Sequence, residues 1–280
     1  MGDLDKLRNE LSTVDDQILD LFIQRMNFVS EIGAHKRNTQ GVVFVPQQER
    51  KKIQETKGKV GPELELYAEG LMQTLLRLSR ERQYELIVDQ DQSWSLRRKM
   101  LQARKKKAPQ VTTVAMVLEC QSEDLVNALY PDAQVLKVAD AEVACSQVVK
   151  GAAEVALIPE VEIISKYFAE HSLFVLGRFF VQDEQSLFAV VPQFILVGHA
   201  KRVSLLVQLG SGKADLDLVV NLFEDFQIPI TKLSFEDDHL YIEFEAAPEN
   251  KRALRALYQL EQETFEMQIL GWYPCYHVSG

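Results

Sequence analysis

Two cations stand eleven residues apart in the stretch DLFIQRMNFVSEIGAHKR, residues 20–37: Arg25 and Lys36. At about 100° per residue that spacing turns a helix by about 1100°, which leaves the two within about 20° of each other on one face. Leu4, Leu11, Ile18 and Ile32, interleaved with Leu7, Val14, Leu21 and Phe28, mark a stripe that should face a core, and Arg25 sits in the middle of it. Later in the chain Ser79 and Gln83 are i, i+4 neighbours that continue the apolar stripe of Met72 and Leu75, so a hydroxyl and an amide occupy inward positions as well. Burying an unpaired charge costs several kcal/mol, so such positions need a compensating group. Two compensators are open on periodicity alone. These polar groups pair with each other or with Glu10, Glu31 or Glu49 inside a coiled coil and set its register, or the cations hold an anionic ligand. Arg8 lies seventeen residues before Arg25 and about 100° away round the axis, which points it towards a neighbouring chain's pocket.

The elements that must position these groups are helical. Residues 3 to 37 carry one long helical period, well beyond the mean helix of about 11 to 12 residues, and a helix of that length needs a partner along it. Gly41 and Pro46 break the period, and a shorter helix resumes at about Pro46, where proline is tolerated. After the loop KGKVGP, a third helix is expected from Pro62 to Leu86 and on towards Lys106. Residues 1–107 thus read as an all-helical domain. At VTTVAMVLE the texture turns to β-branched strand followed by helix-like SEDLVNALY, and residues 108–200 read as a small α/β lobe. From residue 201 the order is strand, helix, strand, strand, helix, strand. That is the ferredoxin-like βαββαβ arrangement, over residues 201–280.

Composition narrows the classes. The chain has 280 residues, 46% hydrophobic and 26% charged, with a net charge of −10, the balance of an ordinary globular protein and an unfavourable one for general nucleic-acid binding. The run RRKMLQARKKK, residues 97–107, is a basic exception; without interleaved aromatics it reads as a solvated helix end and linker. Cys120, Cys145 and Cys275 lack metal-ligand spacing and read as free thiols of a reducing compartment. No signal-peptide core or apolar span of about 20 residues occurs, so a cytoplasmic protein without a membrane partner is expected. LGSGKAD, residues 209–215, lacks the spacing of a phosphate loop, and the five histidines lack that of a metal site. No cofactor is expected.

LDKLRNELSTVDDQILDLFIQRMNFVSEIGAHK is similar to the first helix of the all-helical chorismate mutases, including the mutase part of the bifunctional chorismate mutase/prephenate dehydratases. The family's site positions fall in order and with the family's spacing on Arg8, Arg25, Lys36, Glu49, Ser79 and Gln83. The resemblance implies rearrangement of chorismate to prephenate. Arg25 and the partner chain's Arg8 would clamp carboxylates with help from Ser79, Lys36 and Gln83 would donate to the ether oxygen, and Glu49 would accept the substrate hydroxyl. It implies an intertwined, obligate homodimer with sites built from both chains. Two positions depart: where the family usually has an acidic residue and then an Arg just before the Glu, this chain has Val45 and Gln48.

Downstream, VVKGAAEVALIPE and GRFFVQDEQSLFAVV resemble a prephenate dehydratase lobe, and ILGWYP resembles the end of an ACT regulatory module. About 90 residues stand where the dehydratase uses two lobes, and its Thr-Arg-Phe motif is Ser186, Leu187 and Phe188, without the cation. The ACT signature for phenylalanine is replaced by ADLD (214–217) and SFED (234–237), which leaves dimerisation or another amino-acid effector. The expected protein is a chorismate mutase of aromatic amino acid biosynthesis without dehydratase activity. The alternatives are a regulatory or scaffold protein of that pathway and an isochorismate pyruvate lyase on the same fold.

Overall fold

A computed structural model of the chain describes residues 3–120, 123–160, 165–181, 186–209, 213–236 and 238–278. It divides into two compact units, Met1–Asp91 and Gln92–Gly280. The glycines of LGSGKAD and Asp237 of SFED lie outside the described residues, as do the side chains of Lys213, Ala214 and Asp215.

The first unit is three helices, α1 (Asp3–Thr39), α2 (Pro46–Lys57) and α3 (Glu65–Val88). Pro46 opens α2 at a first-turn position, where its missing N–H costs nothing. α1 lies on α3 at Val29 and Gly33, its two buried residues. A Cβ at Gly33 would sit 3.2 Å from Gln83 Cα and 3.1 Å from Leu86 Cδ1, so the glycine sets how closely the two backbones approach. The apolar stripe of α1 has no cover among the described residues. Residues 3 to 21 are all exposed, and Leu4, Leu7, Leu11, Ile18, Leu21 and Phe28 are each between 57% and 65% exposed.

The third helix does not run to Lys106: α3 ends at Val88, and a separate α4 (Ser95–Ala103) belongs to the second unit. The run Asp89-Gln90-Asp91-Gln92-Ser93 explains the break, since it offers no apolar side chain to bury and its Asp and Ser groups favour turns. Beyond it Trp94 and Ser95 both donate to the Glu261 carboxylate at 2.5 Å, and Leu96, Met100 and Ala103 are buried. Within the basic run, Arg104 pairs with Glu249 at 2.6 Å.

The second unit is built on one ten-stranded mixed sheet in the order β2-β1-β3-β5-β4-β9-β6-β8-β7, with β10 paired to β4. The strands are β1 (Thr113–Val117), β2 (Gln134–Val138), β3 (Val155–Pro159), β4 (Phe174–Phe180), β5 (Ser186–Val191), β6 (Arg202–Gln208), β7 (Ile230–Glu236), β8 (His239–Glu245), β9 (Glu266–Tyr273) and β10 (Cys275–His277). Helices α5 (Glu123–Leu129), α6 (Ala141–Val149) and α7 (Ser165–His171) punctuate the first part, and α8 (Lys213–Asp225) and α9 (Lys251–Glu263) the second. The stretch β6-α8-β7-β8-α9-β9 is a βαββαβ unit with strand order β9-β6-β8-β7. Trp272 and Tyr273 are fully buried in it.

The sheet is continuous because β9 meets β4 in parallel at Val175 and Gly271, and β10 adds to β4 beyond. Only glycine fits that meeting point: a Cβ on residue 271 would stand 2.7 Å from the Val175 carbonyl oxygen. A buried charge cluster bridges the same junction. Glu243, 1% exposed, accepts from Arg178 of β4 at 3.0 Å and from the Tyr273 hydroxyl at 2.9 Å, and lies 3.4 Å from Arg202 of β6. Arg178 also pairs with Glu160, which holds Lys232 at 3.2 Å, and Glu245 holds Arg202 at 2.7 Å. Cations and carboxylates thus alternate, so each buried charge is met by an opposite one. No helix among the described residues is long and apolar enough to cross a membrane.

Gly271→Ala is expected to lower stability by about 1–3 kcal/mol, the usual cost of overpacking. Thermal unfolding against Gly198→Ala, where a Cβ meets nothing within 4 Å, is the measurement; equal midpoints would contradict the close approach.

Candidate active site

The inward polar groups of the first unit converge where α1, α2 and α3 meet. Arg25 of α1 donates from Nη1 to Ser79 Oγ of α3 at 2.6 Å, and the Ser79 hydroxyl passes its own proton to the Leu75 carbonyl at 2.5 Å. Among the described residues that hydroxyl meets no base, and it serves as a relay that fixes the guanidinium, not as a nucleophile. Gln83, 7% exposed, donates from Nε2 to the Ser79 carbonyl at 3.1 Å, while its Oε1 is buried without a partner among the described residues. Leaving such an acceptor unmet costs about 1–3 kcal/mol.

Lys36 reaches the Val43 carbonyl at 3.4 Å on the segment that leads into α2, and feels the carboxylate of Glu49. Glu49 is itself held by Arg80 of α3, Nη1 to Oε2 at 2.5 Å. Burial pushes the Arg25 guanidinium below its ordinary value. It does the same to the Lys36 ammonium, with Glu49 opposing in part. Both shifts follow from taking cations out of water. Among the described residues neither Arg25 nor Lys36 has a carboxylate in direct contact; the acid that Lys36 feels, Glu49, is shared with a third cation.

The structure therefore brings Arg25 and Ser79 together directly, adds Gln83 through the Ser79 backbone, and sets Lys36 within electrostatic reach of Glu49. Arg8 is not among them. Its side chain is 69% exposed and lies 3.8 Å from Asp5 on the same helix, some 26 Å along the axis from Arg25 at about 1.5 Å per residue. Of the two departing positions, Gln48 is exposed and Val45 half-buried.

Sequence reasoning missed two residues. Gly33, between Arg25 and Lys36 on α1, lets Gln83 come close. Arg80 is 9% exposed, with its guanidinium over the Phe44 ring at 4.7 Å as well as on Glu49. The signal for Arg80 was present: it lies three residues before Gln83, about 60° away round α3 by the helical count that groups Ser79 with Gln83.

The set offers two partly buried cations, neutral donors, and one carboxylate with its own counter-ion. It can bind a small polyanion and stabilise negative charge that grows within it. Elsewhere, a cleft of about 470 Å³ in the second unit is lined by Val220, Phe223, Ile228, Pro229 and Ile230 with Glu224 and Gln227; it presents no cation and suits a different, apolar chemistry. His199 bonds the Tyr276 hydroxyl at 2.8 Å and His171 the Tyr167 carbonyl at 3.1 Å, and no cluster of metal-ligating side chains occurs among the described residues.

Residues 7–84 match the family model for chorismate mutase type II. Among solved structures, one described as GqqA, a novel type of quorum quenching acylases, is 19% identical, with a TM-score of 0.51 over 59% of this chain and 95% of that one. Prephenate dehydratase from Streptococcus mutans is 15% identical, with a TM-score of 0.50 over 60% of this chain and all of that one. Both shares exceed what the first unit could supply, so the likeness takes in the second unit, and at these identities it concerns the fold. No curated protein matches the chain.

Lys36 loses its proton below the ordinary 10.5 of a free lysine. Between its folded value and 10.5 the unfolded chain binds more protons, so the contribution of Lys36 to stability rises with pH, while its attraction for an anion falls. Thermal unfolding of wild type and Lys36→Met across that range is expected to show wild type gaining on the variant as pH rises. Parallel curves would place Lys36 in water.

Proposed function

We infer that this chain, whose residues 7–84 are a chorismate mutase type II domain and which is on that ground an isomerase, converts chorismate to prephenate at Arg25, Lys36, Glu49, Ser79 and Gln83, with Arg8 of a second copy completing each site. The observation that carries the reading is the part-buried Arg25–Ser79 contact at 2.6 Å, extended by Gln83 on the Ser79 carbonyl, in a three-helix unit where Lys36 also feels the Glu49 carboxylate. The rearrangement is pericyclic and needs no nucleophile, metal or redox group. What it asks of a protein is a compact substrate conformer and stabilisation of charge on the ether oxygen as its bond to carbon breaks.

Arg25, braced by Ser79, presents a planar fork suited to a carboxylate. Lys36 and the second amide proton of Gln83 donate to the ether oxygen, and Glu49 accepts a hydrogen bond from the substrate hydroxyl. A dianion placed there supplies the negative charge that Arg25 and Lys36 lack.

The same reading makes the chain an obligate homodimer. The uncovered stripe of α1 supports it, continued on α3 by Leu66 and Leu71, 76% and 60% exposed; exposed apolar area on this scale marks an interface. Arg8, too far along α1 to serve its own site, then serves the partner's. A cytoplasmic location belongs with it, supported by three free thiols, two of them buried. Loss of dehydratase activity is supported by Leu187, 1% exposed in the core where a substrate-binding cation would stand. The βαββαβ unit is read as an ACT module for dimerisation or an amino-acid effector.

Purified protein is expected to consume chorismate, followed by its absorbance, and to leave prephenate intact. Arg25→Ala and Lys36→Ala should each lower kcat by about 10²–10³-fold, as loss of a charge-stabilising donor does; rates near wild type would refute the assignment. Mixing and refolding Arg8→Ala with Arg25→Ala chains should restore about a quarter of wild-type activity, because half the dimers then carry one intact site of two. No recovery would place Arg8 outside the partner's site.

A further inference from the structure

We propose that Arg80 is a substrate-binding residue: it supplies from α3 the guanidinium that position 48 of α2, a glutamine here, does not. The inference rests on the mutase reading of the site. Arg80 stands between Ser79, which braces Arg25, and Gln83, and all three residues are buried, the Arg80 side chain 11% exposed. A guanidinium is not buried to that extent without a reason. Nη1 holds Glu49 Oε2, and Glu49 is the acid that Lys36 also feels. The Phe44 ring, 4.7 Å away, fixes the plane of the fork from one side.

Gln48, directly before Glu49, is neutral, and the cations that follow on α2, Arg50, Lys51 and Lys52, are exposed. A guanidinium carries five N–H donors in a planar fork, enough to keep a protein carboxylate and take one from a ligand at once. Arg80 thus orients Glu49 for the substrate hydroxyl while it binds a substrate carboxylate. Arg25, Lys36 and Arg80 then surround a dianion from two helices, with Glu49 the single opposing charge in the set.

Steady-state kinetics with chorismate and calorimetric binding of prephenate test this on wild type, Arg80→Met, Arg80→Lys and the double variant Gln48→Arg/Arg80→Met. Arg80→Met is expected to raise KM and weaken prephenate on the order of 10- to 100-fold, the value of a hydrogen bond to a charged group. Arg80→Lys, which keeps a charge beside Glu49 and preserves the fold, should raise KM several-fold, because the ammonium gives up the fork. The double variant should regain much of the lost affinity. That rescue is a result a merely structural role would not give, since position 48 lies on another helix. KM within twofold of wild type in both single variants, a fall in kcat alone, or no rescue by Gln48→Arg would overturn the role of Arg80 and leave the mutase reading standing. Wild-type protein that neither converts chorismate nor binds prephenate would overturn both.

Discussion

Positive charge taken out of water without enough negative charge to meet it is the constraint around which the helical unit is organised. Arg25 is held by a neutral hydroxyl, and Lys36 by a carbonyl and a distant share of Glu49. Neither arrangement would persist for stability alone, because an apolar side chain at either position would pack without the cost of desolvation. The second unit shows the contrasting solution. Arg178, Arg202 and Lys232 each sit on a carboxylate from Glu160, Glu243 or Glu245. A cluster that neutralises itself fixes strands; the one in the helical unit leaves Arg25 and Lys36 without a contacting carboxylate among the described residues.

The helical scaffold serves that imbalance through backbone proximity. Gly33 lets α1 come within side-chain reach of α3, so the amide of Gln83 and the serine that braces Arg25 are held on one wall. α2 contributes little burial of its own and no fully buried residue; what fixes it is charge, through Glu49 on Arg80 and Lys57 on Glu69 at 2.8 Å. Its position thus depends on the Glu49 carboxylate, which ties the folding of this helix to Arg80 of α3.

Much of this was legible in the residues, for definite reasons. The seven-residue recurrence through Leu4, Leu11 and Ile18 announces α1, and Pro46 announces α2, because a long helix and a proline leave strong local signatures. The inward turn of Arg25 and Lys36 follows from helical arithmetic. The end of α3 at Val88 was harder to read, since the period resumes in α4 and only the polar run between them carries the break. Arg80 escaped notice because a long charged side chain in a helix ordinarily reaches solvent; its inward course is decided by Glu49 and Phe44, residues some 30 positions away. The joining of β4 to β9 was likewise invisible. It hangs on one glycine in ILGWYP whose necessity appears only once Val175 is beside it.

That joint gives the ten-stranded sheet a line of least resistance. Most neighbouring strands share several ladder positions, whereas β4 and β9 share one, Val175 with Gly271, and hold together otherwise through β10 and the salt bridges of Arg178. Local opening of the second unit should begin along this line, as a zip begins at its loosest tooth, and part the sheet into its mixed β2-β1-β3-β5-β4 half and its βαββαβ half before either half loses its own order.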